Sequence, residues 1–185
     1  MTTQRKSNRS SSEELCIECG LCCDGHLFTY ASLKDDEVPD ALDLGLTVDA
    51  QNTPGERYFA LPCPLHDGNC SIYKDPRKPE KCSSYKCQLL NDLEANKIVI
   101  EQALKEVRHT KAMIAEFKHF LPEDANKSFC IELLPYLDTL ERAGIKCDAE
   151  EDQNLLKAGI LLAHYNQQFG VTQLFTNRRK WLSQH

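Results

Sequence analysis

The chain has 185 residues, 41% of them apolar and 27% charged, with a formal net charge of −6. That length supports one compact domain or two small ones, and the composition is ordinary for a globular protein. The acidic balance argues against broad, non-specific nucleic-acid binding, and no apolar run approaches the roughly 20 residues that span a bilayer.

Residues 1–12 are polar, carry Arg5, Lys6 and Arg9, and lead into no apolar stretch. They are expected to be a disordered leader rather than a secretory signal, which places the protein in the reducing cytoplasm. Residues 16–24 crowd cysteine and glycine too closely for regular structure, and Leu27, Phe28 and Tyr30 predict a short strand within 26–33. Residues 35–45 carry acids early, apolar Val38, Leu42 and Leu44, and a closing glycine, the pattern of a short helix. Pro54-Gly55 marks a turn. Residues 57–73 read as a hairpin: Tyr58, Phe59 and Leu61 lead to Cys63, residues 66–69 turn, and Cys70, Ile72 and Tyr73 return. A proline-bounded loop over 75–79 follows, and Cys82 to Cys87 close the block.

Beyond residue 88 the pattern becomes helical. Leu93, Ile100, Val107, Ile114 and Leu121 recur every seven residues, flanked by Leu90, Leu104 and Phe117, which predicts one helix over 89–121 ended by Pro122. A second helix is expected over 128–143 with Gly144 as its C-cap, a third over 150–169 stopped by Gly170, and a short last one over 172–182. The predicted fold is mostly α. A small irregular α+β cysteine-rich metal module with a short helix and a hairpin (13–88) precedes a helical region (89–185) built as a three- to four-helix bundle. The seven-residue stripe has a sharper reading as an oligomerisation or protein-partner surface. Arg178, Arg179, Lys180 and Trp181 form a basic-aromatic patch, read as a solvated helix end rather than a nucleic-acid contact.

Eight of the ten cysteines lie in two blocks: Cys16, Cys19, Cys22 and Cys23, then Cys63, Cys70, Cys82 and Cys87. In a reducing compartment such clusters are metal ligands more often than disulfides or exchanging thiols. Two residues between cysteines is the recurring spacing for two thiolates to grip one metal, and three in a row also match the opening of an iron-sulfur run. Cys22 and Cys23 are adjacent, so their side chains tend apart and serve different metals or different atoms of one cluster. Eight thiolates suit two tetrahedral zinc sites, one zinc plus one cluster, or one cluster with spare cysteines. Lys74, Arg77, Lys78, Lys81 and Lys86 outnumber Asp75 and Glu80 around the second block, a local positive excess suited to a buried anionic centre. His26 and His66 are weaker ligand candidates, read first as turn or surface residues. Cys130, between Phe129 and Ile131, reads as a small core residue, and Cys147 as a loop thiol.

Cys16-x2-Cys19-Gly20-x-Cys22-Cys23 resembles the signature of the YkgJ-type cysteine-cluster proteins, described as zinc- or iron-chelating domains. The second block resembles theirs as well: Cys63-Pro64-Leu65, Gly68-x-Cys70-Ser71-Ile72-Tyr73, then Arg77, Pro79, Cys82, Tyr85 and Cys87. Lys78 separates an arginine and a proline that the family often keeps adjacent. The resemblance spans residues 16–87 and implies metal binding through the eight cysteines, with zinc or an iron-sulfur cluster as the bound group. Some flagellin lysine methylases resemble the family in this motif, but no glycine-rich strand-to-helix turn that would hold a nucleotide-like cofactor is present here. The expected function is a metal-binding accessory protein acting as sensor, carrier or scaffold for another protein. The alternatives are an enzyme using the centre for electron transfer or a methyltransferase-like reaction, and a structural zinc module supporting a helical interaction surface.

Overall fold

The computed structural model describes residues 9–50, 57–119, 121, 129–130, 132–133 and 149–171. Helix α1, Ser11–Cys19, opens on a capping box. The Ser10 hydroxyl accepts from the Glu13 N–H at 3.2 Å, and the Glu13 carboxylate accepts from the Ser10 N–H at 3.0 Å. Gly20 ends the helix in the left-handed region, at φ 65°. Two expectations are corrected here. The predicted leader gives way to helix at Ser11, and Cys16 and Cys19 sit on that helix rather than on irregular chain. The cause is the Ser-x-x-Glu start, which satisfies the first amides, together with the burial of Leu15 and Ile17.

Three short strands, β1 (Tyr30–Leu33), β2 (Val48–Ala50) and β3 (Arg57–Ala60), form an antiparallel sheet with β3 in the middle. Between β1 and β2 lie a single 3-10 turn, Asp35–Glu37, and α2, Val38–Asp43, where the short helix was predicted. The predicted hairpin is corrected. β3 pairs with β1 and β2, and of the return only an isolated bridge between His66 and Cys70 remains. Pro62 and Pro64 flank Cys63 and remove two amide donors that a ladder needs. The Cys63 N–H left between them donates to the Cys23 carbonyl at 2.8 Å, tying the second cysteine block to the first.

A five-residue helix, α3 (Glu80–Ser84), carries Cys82. Its start is anchored from a distance: the Glu80 N–H donates to the Glu37 carboxylate at 2.5 Å, and the Glu80 side chain pairs with Lys34. The single helix predicted over 89–121 is two, α4 (Gln88–Glu94) and α5 (Ile100–Lys118). Asn96 takes φ 56°, a conformation asparagine tolerates, and Val99 resets the chain to extended backbone before α5. The seven-residue stripe survives the break and faces inward: Leu93, Val107, Ile114 and Leu121 are all buried. Helix α6, Ala149–His164, runs on as one π-turn, Tyr165–Phe169, and closes at Gly170, as the sequence predicts. Residues 129–130 and 132–133 are helical. The rest of the predicted second helix, the last helix, the Arg178–Trp181 patch and Cys147 lie outside the described residues. Among the described residues no helix is long and apolar enough to cross a membrane.

The fold is mostly helical with a small α+β part. Its main core joins both halves of the chain: Leu15, Leu21 and Leu27 pack with Leu89, Val107, Ile114, Phe129, Leu161 and Phe169. A smaller core of Leu33, Ala41, Leu46, Phe59 and Leu61 lies under the sheet, and Phe28 packs against both.

Candidate metal centre

Cys16 and Cys19 are three positions apart on the last turns of α1 and so share a face. Gly20 reverses the chain into a tight turn carrying Cys22 and Cys23, closed by hydrogen bonds from Asp24 N–H to the Gly20 carbonyl and from His26 N–H to the Leu21 carbonyl, both 2.9 Å. Cys87 is the N-cap of α4, which packs against α1. Cys63, Cys70 and Cys82 arrive from the proline turn, the His66 bridge and α3. All eight cysteines line one cavity of about 540 Å³.

Burial raises several of the thiol pKa values: Cys19 and Cys23 to about 12, Cys82 to about 11, and Cys22 well above its ordinary value. Cys16, Cys63 and Cys87 are raised from the same cause. Mutual repulsion among the sulfurs adds to burial. Charge on Cys87 raises Cys16, Cys19 and Cys22, whereas charge on Cys70 raises Cys23, Cys63 and Cys82. Packing agrees: Cys19, Cys22 and Cys87 lie against the main core and Cys63 against the smaller one. Charge on Cys23 also raises Cys22, so the two groups of sulfurs stand within reach of each other. Each set has four sulfurs, the donor number of a closed zinc site or of a cubane iron-sulfur cluster. Among the described residues no three His, Cys, Asp or Glu side chains stand in position to hold an ion between them as placed. All nine described cysteines are free thiols.

The basic loop contributes through one residue above all. Arg77 is taken by Asp75 at 2.8 Å and Lys86 by Glu94 at 2.5 Å. Lys78 sits 4.1 Å above the Tyr73 ring, and its charge favours the thiolates of both Cys16 and Cys82. At the start of α4, the nearby backbone amides of Leu90 and Leu89 likewise favour the Cys87 thiolate, against burial.

The two histidines part ways. His66, with a side chain 4% exposed, lines the cavity and is a buried residue rather than the surface one expected. Its Nδ1 lies 2.7 Å from the Asp24 carboxylate, close but not aligned as a hydrogen bond, and its Nε2 has no hydrogen-bond partner among the described residues. The His26 ring packs edge-on against Phe129 at 5.5 Å, and burial, helped by Lys118, lowers its pKa to about 4. Cys130 is fully buried, as expected of a core residue, and its thiol donates to the His26 carbonyl at 2.9 Å. The approach of the two cysteine blocks to one another was not read from spacing. The Ser-x-x-Glu cap and the prolines around Cys63 are the signals that lead to it.

These shifts give the metal-free protein a defined pH response. Unfolded thiols titrate near 9.0, while folded Cys19 and Cys23 hold their protons to about 12. Between those values the unfolded chain has released protons that the folded chain retains, so stability falls as pH rises through the window. If the chain stays folded without metal, its urea midpoint is expected to drop between about pH 8 and about pH 11. A flat alkaline profile would contradict burial of these sulfurs. Compared with known protein families, curated proteins and solved structures, the chain matches none, and the family resemblance rests on its motifs alone.

Proposed function

We propose that this is a metal-binding accessory protein of a reducing compartment, holding two four-thiolate centres through Cys16, Cys19, Cys22 and Cys87 and through Cys23, Cys63, Cys70 and Cys82. The observation that carries this reading is that all eight cysteines of the two blocks surround one cavity. The donor chemistry fits zinc and iron-sulfur clusters alike, and loading draws each set together, because metal binding is coupled to the ordering of its ligands. Bound as clusters the centres carry single electrons; bound as zinc they hold the fold. Four thiolates around each centre leave no open coordination position for a substrate, which favours a sensor, carrier or scaffold over a metal-based catalyst. The helical region, read as a three- to four-helix bundle, supports the module and meets a protein partner.

Anaerobic purification followed by metal analysis and an absorption spectrum tests this. About two zinc ions per chain, or a brown protein absorbing near about 400 nm, is expected, with loss of fold on chelation. A fully folded protein free of metal would overturn the reading.

A further inference from the structure

The sheet face that looks into the cavity carries one residue out of keeping with its neighbours. Register pairs Leu33 with Arg57 and Ala31 with Phe59, so strand alternation puts all four on one face. Leu33 and Phe59 are buried there with Leu46 and Leu61. Arg57 shares that apolar face with its side chain 39% exposed. Its guanidinium reaches Asp35 only at 3.9 Å, and the Asp35 side chain is 74% exposed, an arrangement that contributes little. The charged residues lining the cavity are Arg57, Lys78 and Lys81, with no carboxylate among the described lining residues. Yet the chain as a whole has 28 acids against 22 bases. Lys78 and Lys81 stand on the cysteine-bearing loop and helix, whereas Arg57 stands on β3. The cavity, about 540 Å³, is of small-molecule size, within the ~300–1,000 Å³ of typical ligand pockets, and a mainly apolar wall with a few polar groups is the usual make-up of such sites.

We propose that the sheet side of this cavity binds a small organic anion, an apolar or aromatic body whose carboxylate meets Arg57. The guanidinium presents a fork that takes a carboxylate through two parallel hydrogen bonds. The body lies along Phe28, Leu33, Phe59 and Leu61, where its burial releases water from apolar surface. This inference shares the cavity with the metal reading but goes beyond it and does not depend on it.

The test uses the full chain as purified, with metal content measured in each sample, and the fluorescent aromatic anion anilinonaphthalene sulfonate as probe. One saturable site per chain is expected, with the probe displaced by phenylpropionate and not by the neutral phenylpropanamide. Arg57→Gln is expected to weaken probe binding by at least about tenfold, and Arg57→Lys by less. Ala31→Phe, which narrows the cavity and leaves the guanidinium in place, is expected to weaken it as well. Equal displacement by acid and amide, unchanged affinity in Arg57→Gln, or many weak sites would each overturn the proposal. Metal-free folded protein that binds the probe in this pattern sinks the metal reading and leaves this one standing; metal-loaded protein that does not bind it does the reverse.

Discussion

With two four-thiolate centres as proposed, serine in place of Cys22 is expected to empty one centre and spare the other, and serine in place of Cys23 to do the same for the opposite centre. Each variant should hold half the metal of the native chain, and the double variant none. The argument starts from the turn after α1, where adjacent side chains diverge. Cys22 lies against the main core with Cys19 and Cys87, while Cys23 is joined through its carbonyl to the Cys63 amide. A structural metal bound by four thiolates contributes on the order of 10–16 kcal/mol, so each loss is large. The consequences differ by place. Cys22→Ser should expose amides where α1 meets α4, and Cys23→Ser those around residues 63–82, as hydrogen exchange can resolve. Complete metal loss in both single variants, with identical exchange patterns, would sink the partition.

Alanine in place of Gly20 is the second large effect. Gly20 has φ 65°, where a side chain costs roughly 1–2 kcal/mol. A Cβ there would also stand 2.8 Å from Cε1 and 2.9 Å from Nε2 of His66. The imidazole cannot yield cheaply: it is buried and backed by Asp24. A total loss of about 2–4 kcal/mol is expected, read from urea unfolding of protein handled identically. Gly45 supplies the control, because it has φ 87° and nothing within 4 Å of an added Cβ. Gly45→Ala should show the backbone cost alone. In the His66→Ala background the extra loss at Gly20 should disappear, a double-mutant cycle that isolates the contact. Equal losses at the two glycines would rule the contact out.

Periodicity read the helical half well where hydrophobic burial decides structure. Leu93, Val107, Ile114 and Leu121 are buried as their spacing implied, and Gly170 stops the last described helix. The same spacing hid the break at Asn96, since a stripe of seven continues through a short kink that costs one asparagine a left-handed conformation. Between residues 57 and 73 the alternation was read correctly but its partner was not, because pairing depends on distant β1 and β2, and no local pattern reports distance. The cysteines showed which residues belong together. They did not show that α1 is a helix carrying Cys16 and Cys19, or that two prolines around Cys63 turn its amide to the Cys23 carbonyl, and the proposed division rests on those features. Arg57 escaped notice for a related reason: an arginine in a four-residue strand looks ordinary until the register shows which face it shares.

The shared core has a consequence for how such a protein can change over time. Leu15, Leu21 and Leu27, from the first cysteine block, sit among residues of α4, α5 and α6. The block is therefore no detachable cassette. Spliced onto another host it would arrive with a bare apolar flank, and the helices it left would gape where those leucines had been. Cys87 binds the two inheritances further, since one residue both lines the cavity shared with the first cysteine block and is the N-cap of α4. Descendants of this chain are expected to keep or lose the cysteine block and the first helices after it as a single heritable unit.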